Sequence, residues 1–178
     1  MTPVQIALWM VLGVALVISV VTDVLRREIL DVVTYPLMVV GLGTRLFTEG
    51  LGDFQSGMLS GLVSGAGLAV LLVPAALRGR MGWGDVKLMG GVGAVLGFPA
   101  VMAAAAFISL VGALQAVVTL LWHGAVWDTL AAVLRRWAAR VRLASADAQP
   151  AAQRHIPYGV AIALGTFWAL WWQHSSLG

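Results

Sequence analysis

The 178-residue sequence contains no cysteine. That absence removes disulfide frameworks, thiol nucleophiles and cysteine-ligated zinc. Charge is scarce as well: Asp, Glu, Lys and Arg make up 11% of the chain, against about 25% in soluble domains. The three histidines, His123, His155 and His174, share no metal-like spacing, so neither a metal nor another cofactor is expected. No phosphate-cradling glycine loop, nucleophile elbow or HExxH is present. What fills the chain instead is apolar, with 60% hydrophobic residues and 21 glycines. A soluble domain has no core large enough to hide that surface, so the composition is that of a membrane protein.

Crossing about 30 Å of hydrocarbon takes about 20 apolar residues. Six candidate spans meet or approach that length: Val4 to Thr22, Val32 to Thr48 with Pro36 in its first turn, Phe54 to Leu77, a short glycine-rich Met81 to Gly97, Pro99 to Trp122, and Pro157 to Trp172. The first lacks a basic flank before it and a small-residue cleavage site after it, so it reads as a span and not as a removable signal peptide. If it ends in the cytoplasm, that side holds Arg26, Arg27, Arg78, Arg80, Lys87, Arg135, Arg136, Arg140, Arg142 and Arg154, while the opposite side keeps only Arg45. Such a positive-inside bias requires an even number of spans with both termini outside. The expectation is one all-α polytopic domain over residues 1–178, about six transmembrane helices in one bundle, multi-pass in the inner (plasma) membrane. Topology then explains the sequence pI of about 10.2, and nucleic-acid binding is not required.

The longest cytoplasmic segment, residues 123–155, has an amphipathic pattern. Trp127, Leu130, Leu134, Trp137 and Val141 fall within about 80° of one another on a helical wheel. With arginines on the other faces, this reads as a helix lying in the headgroup layer against anionic lipid. Gly57, Gly61 and Gly65, with Ser56, Ser60 and Ser64, form a small-residue stripe, and Gly90, Gly91, Gly93 and Gly97 form a second. Both predict close helix–helix approach.

Ionisable residues in or beside spans are expensive and are functional candidates by default. Asp23 ends the first span and is followed by Arg26, Arg27, Glu28 and Asp31. Asp85 and Lys87 open the fourth. Arg45, late in the second span, is expected to snorkel outward. In the topology above, Asp23 and Asp85 share one membrane face. Two neighbouring carboxylates share a proton, because both cannot ionise cheaply. The ionised member can deprotonate water, and the protonated one can polarise a peptide carbonyl and then donate to the leaving amine. Each acid also has a plain structural role open to it: Asp23 as a helix cap or a partner of Arg26 or Arg27, Asp85 as an N-cap after a Gly82–Gly84 turn. Lys87 reads equally as an interfacial anchor, a lipid-phosphate contact or a stabiliser of an ionised aspartate.

These residues resemble the type IV prepilin peptidases, GxGD-type membrane aspartic proteases. Gly82-Trp83-Gly84-Asp85-Val86-Lys87-Leu88 matches that family's G-x-G-D-V/I-K-L block. Asp23, with Ile29 and Thr34, keeps the spacing of its other block, an aspartate followed after five residues by I-P-N-x-L-T. Pro157-Tyr158-Gly159 resembles its P-F/Y-G element at the last span. The sequence departs at Leu30 and Asp31, where the family prefers Pro and Asn, and at Val160, often a proline. The resemblance implies catalytic aspartates Asp23 and Asp85, supported by Gly82, Gly84 and Lys87, with Asp31 as a third carboxylate near the site. Asp23 is preferred because its spacing fits. The implied partners are prepilin or pseudopilin precursors, whose short basic leaders are cut before a hydrophobic helix. Lacking cysteine and a long zinc-bearing insertion, the chain resembles the short, peptidase-only branch of tight-adherence (Flp-type) pilus systems, without the methyltransferase-associated segment. The alternatives are a non-catalytic multi-span protein, such as a transporter subunit or secretion scaffold, or the same enzyme class acting on archaellin-like precursors.

Overall fold

The computed structural model describes residues 2–79, 81–122, 131 and 158–176, and every regular element among them is a helix. Helix α1 (Pro3–Arg26) starts at a capping box: the Thr2 hydroxyl accepts from the Gln5 N–H at 3.3 Å, and the Gln5 side chain accepts from the Thr2 N–H at 3.1 Å. It ends where Arg27 turns into the left-handed region (φ 56°) and its N–H closes on the Asp23 carbonyl at 2.9 Å. Helix α2 (Asp31–Glu49) opens on an acidic residue, which complements the helix dipole. Because it begins at Asp31, Pro36 falls in its second turn and not its first.

Helix α3 (Gly57–Leu77) begins three residues later than hydropathy predicts. The preceding turn is built by Asp53, whose carboxylate accepts from the N–H groups of Gln55 (2.8 Å) and Ser56 (3.0 Å). Those bonds hold the Asp53 carboxyl below its ordinary range. Gly52 and Gly57 both have positive φ, and a Cβ on Gly52 would lie 2.3 Å from the Ser56 carbonyl. Only glycine fits there. Helices α4 (Trp83–Leu96), α5 (Ala100–Trp122) and α6 (Tyr158–Ser176) complete the described elements.

Among the described residues six helices stand where six spans are expected, and of these α1, α3 and α5 are long and apolar enough to cross a membrane by themselves. The shortfall has physical causes. The 14 residues of α4 reach only about 21 Å at 1.5 Å per residue. Helix α2 carries Asp31, Arg45 and Glu49 within its 19 residues. The chain is an all-α membrane protein in which α4 is an inner element. Every α4 residue except Trp83, Gly84 and Lys87 is buried.

Two compact units make up the chain. The first, Met1–Gly112 with Pro157–Gly178, has a core of Leu12, Leu16, Leu37, Leu88, Val92, Ile108 and Ile162. Glycines set its spacing. A Cβ on Gly65 would lie 2.6 Å from the Gly90 carbonyl, and one on Gly93 would lie 2.6 Å from the Ser64 carbonyl. Helices α3 and α4 therefore touch backbone to backbone, as both small-residue stripes predict. On the other flank of α4, Leu37 of α2 sits against Gly91, leaving no room for a side chain there. The second unit, Ala113–Ile156, contributes the end of α5, where the Thr119 hydroxyl donates to the Gln115 carbonyl at 2.8 Å. The amphipathic segment at 123–155 lies outside the described residues, apart from Ala131.

Arg45 departs from expectation. Instead of snorkelling outward, its half-buried guanidinium donates to the carbonyls of Val95 and Leu96, the last residues of α4. These carbonyls have no helical partner, and a fork of N–H donors satisfies them better than distant headgroups could. Glu49 completes the arrangement, 3.6 Å from Arg45 and accepting the Gly57 N–H at 2.7 Å.

Candidate active site

The opposite end of α4 carries the acids. Asp85 is the third residue of that helix, and its carboxylate accepts the N–H of Gly82, the residue before the helix, at 3.2 Å. This is half of a capping box, an ordinary local reason for Asp at this position. Asp23 lies in the last full turn of α1 on its buried face, in register with Leu12, Leu16 and Ser19. Its carboxylate accepts the N–H of Gly159, in the first turn of α6, at 2.8 Å. Asp23 is 4% exposed and Asp85 7% exposed, and the charge of Asp23 is felt at Asp85. Two buried carboxylates from distant stretches of chain therefore share one electrostatic environment. Among the described residues Asp85 is matched to no arginine or lysine, the usual condition for burying a carboxylate cheaply.

The motif glycines differ in what they do. A Cβ on Gly84 would lie 2.8 Å from the Ile29 Cβ, so the start of α4 rests on the linker that leaves α1. Gly84 and Ile29 belong to the two separate sequence blocks, and this contact joins them. Gly82 has room for a methyl group, 3.4 Å from the Asp85 carboxylate, and contributes through its N–H. A Cβ on Gly159 would lie 2.7 Å from Asp23 Oδ2.

Lys87 and Asp31 are held together instead of joining the pair. The Lys87 ammonium lies 2.7 and 2.8 Å from the two Asp31 oxygens and 5.1 Å from the centre of the Tyr35 ring. Both side chains are partly exposed, and the link ties the start of α2 to α4. Two buried side-chain atoms lack a hydrogen-bond partner among the described residues: Asp85 Oδ1 and Ser19 Oγ. Ser19 lies one helical turn before Asp23, on the same face. Sequence reasoning passed over it; the available signal was a serine at i−4 from the acid in an otherwise apolar helix. Among the described residues, no group of three His, Asp or Glu side chains is arranged to hold a metal ion.

The sequence model of the type IV leader peptidase family matches residues 10–117, more than half of the chain and a stretch containing both aspartates. No curated protein and no solved structure matches.

Proposed function

The chain belongs to the type IV leader peptidase family, and from that premise we propose that it is a membrane aspartic endopeptidase whose catalytic pair is Asp23 and Asp85. The observation that carries the proposal is the burial of both carboxylates, each accepting a glycine N–H, where the Gly84–Ile29 contact joins their two sequence blocks. Asp31 is not the second acid in this reading, because its carboxylate is engaged by Lys87.

With one proton between them, the ionised aspartate takes a proton from water as the water oxygen adds to the scissile carbonyl. The protonated aspartate hydrogen-bonds the developing oxyanion. When the tetrahedral intermediate collapses, the C–N bond breaks and the departing nitrogen receives a proton from the pair. One carboxylic acid and one amine result, and the pair regains its single proton. The arrangement requires acids at fixed separation, which the backbone-to-backbone packing of α3 on α4 and the Gly84–Ile29 contact favour.

The substrates in this proposal are prepilin or pseudopilin precursors of the Flp type, cut at the cytoplasmic face of the inner membrane just before their hydrophobic helix. The test is co-expression with such a precursor, read by gel shift and by the mass of the mature product. Wild-type protein is expected to remove the leader, and Asp23→Asn and Asp85→Asn to leave it intact while remaining inserted. Full processing by either variant, or a function independent of both acids as expected of a scaffold or transporter subunit, would refute the assignment.

A further inference from the structure

The Tyr158-Gly159 pair at the start of α6 has no part in the hydrolysis just described, yet it meets the site. The N–H of Gly159 reaches Asp23 Oδ2 at 2.8 Å across 136 residues of sequence, and the bond is buried. The three nearest atoms to a Cβ on Gly159 are all Asp23 side-chain atoms: Oδ2 at 2.7 Å, Cβ at 3.2 Å and Cγ at 3.3 Å. Asp23 is therefore the side chain that a methyl group at position 159 would meet first. Its neighbour Tyr158 is half-buried, and a Cβ on Gly112 of α5 would stand 3.4 Å from the tyrosine hydroxyl. Close packing of that ring on Gly112 holds the first turn of α6 where its N–H meets the carboxylate. The first-turn N–H groups of a helix have no partner inside it and carry its positive end, so a carboxylate is their natural acceptor.

We propose that Gly159 is a positioning residue for Asp23. Its backbone N–H fixes one carboxylate oxygen, and its missing side chain leaves the space in which that oxygen sits. This rests on the reading of Asp23 as a catalytic acid, and under it the element serves to orient Asp23 towards Asp85. Asp85 receives the equivalent service from the N–H of Gly82. Asp23 is thus held from another helix and Asp85 from the residue that caps its own, each through Oδ2.

The test is a double-mutant cycle on the full-length protein in detergent or vesicles, with Gly159→Ala, Asp23→Ala and both together. Because the three atoms nearest the added methyl group all belong to Asp23, Gly159→Ala is expected to lower the thermal midpoint in the wild-type background. In the Asp23→Ala background the two methyl carbons stand at about the 3.2 Å of the present Cβ contact, which a small shift relieves, so the penalty should largely vanish. In the cleavage assay Gly159→Ala should lose about 100-fold in kcat with KM little changed, as expected when a reacting group is displaced by about 1 Å. Wild-type kcat in Gly159→Ala would overturn the proposal. So would an equal thermal penalty in both backgrounds, which would place the clash elsewhere. If Gly159→Ala alone does not fold, recovery of folding in the double variant supports the proposal and its failure to recover overturns it. The thermal cycle needs no activity, so failure of the protease assignment is read separately, from cleavage by Asp23→Ala.

Discussion

The two ends of α4 treat buried polar groups in opposite ways. At its C-terminal end, charge is fully answered: Arg45 bonds the last carbonyls of the helix, Glu49 pairs with Arg45, and Glu49 also takes the Gly57 N–H. At its N-terminal end lie two buried carboxylates, and among the described residues Asp85 has no matched cation and its Oδ1 no hydrogen-bond partner. A satisfied network rigidifies, whereas an under-satisfied one costs free energy and persists where function uses it. On the proposed reading, the comparison separates a structural charge from a catalytic one at the two ends of a single short helix.

The largest expected effect breaks the comparison at the acid end. Asp85→Asn or Asp23→Asn should reduce cleavage by about 1000-fold or more, and for Asp85→Asn the thermal midpoint should hold or rise, because a buried carboxylate with an unbonded oxygen has been replaced. At the other end the signs reverse. Arg45→Met leaves α4 carbonyls and Glu49 without their donor, and should destabilise the protein by about 2–3 kcal/mol. Turnover per folded molecule should stay near wild type, as measured by thermal denaturation alongside active-fraction-corrected cleavage. The smallest effect sharpens the account: Ser19→Ala deletes a hydroxyl that bonds to nothing described, so its stability change should stay within about 0.5 kcal/mol.

Much of this architecture was legible in sequence, because apolar run length and glycine spacing are local signals. Expected and observed helices coincide closely at Val32 to Thr48 and Pro99 to Trp122, and the α3 and α4 stripes do meet. Hydropathy missed the start of α3, because the Asp53 carboxylate takes the Gln55 and Ser56 N–H groups and holds those residues in a turn before the helix. It also overcounted independent spans, since an inner helix needs apolarity but not length. The fate of Arg45 was hidden because its acceptors belong to the end of another helix. The site was half legible. The residues of each block and their spacing could be read, but the contacts joining the blocks, Gly84 on Ile29 and Gly159 on Asp23, are tertiary. A glycine motif states that space is needed without saying which side chain fills it.

The claim beneath all of this is that residues 23 and 85 form one site. The absence of native cysteine allows a clean measurement: an Asp23→Cys/Asp85→Cys variant in native membranes, treated with a short thiol-bridging reagent and then cut by protease in the 50–56 turn. The two fragments are expected to stay joined on a denaturing gel, and those of each single-cysteine variant to fall apart. Fragments that separate in the double variant, with both thiols shown to be accessible to the reagent, would contradict it.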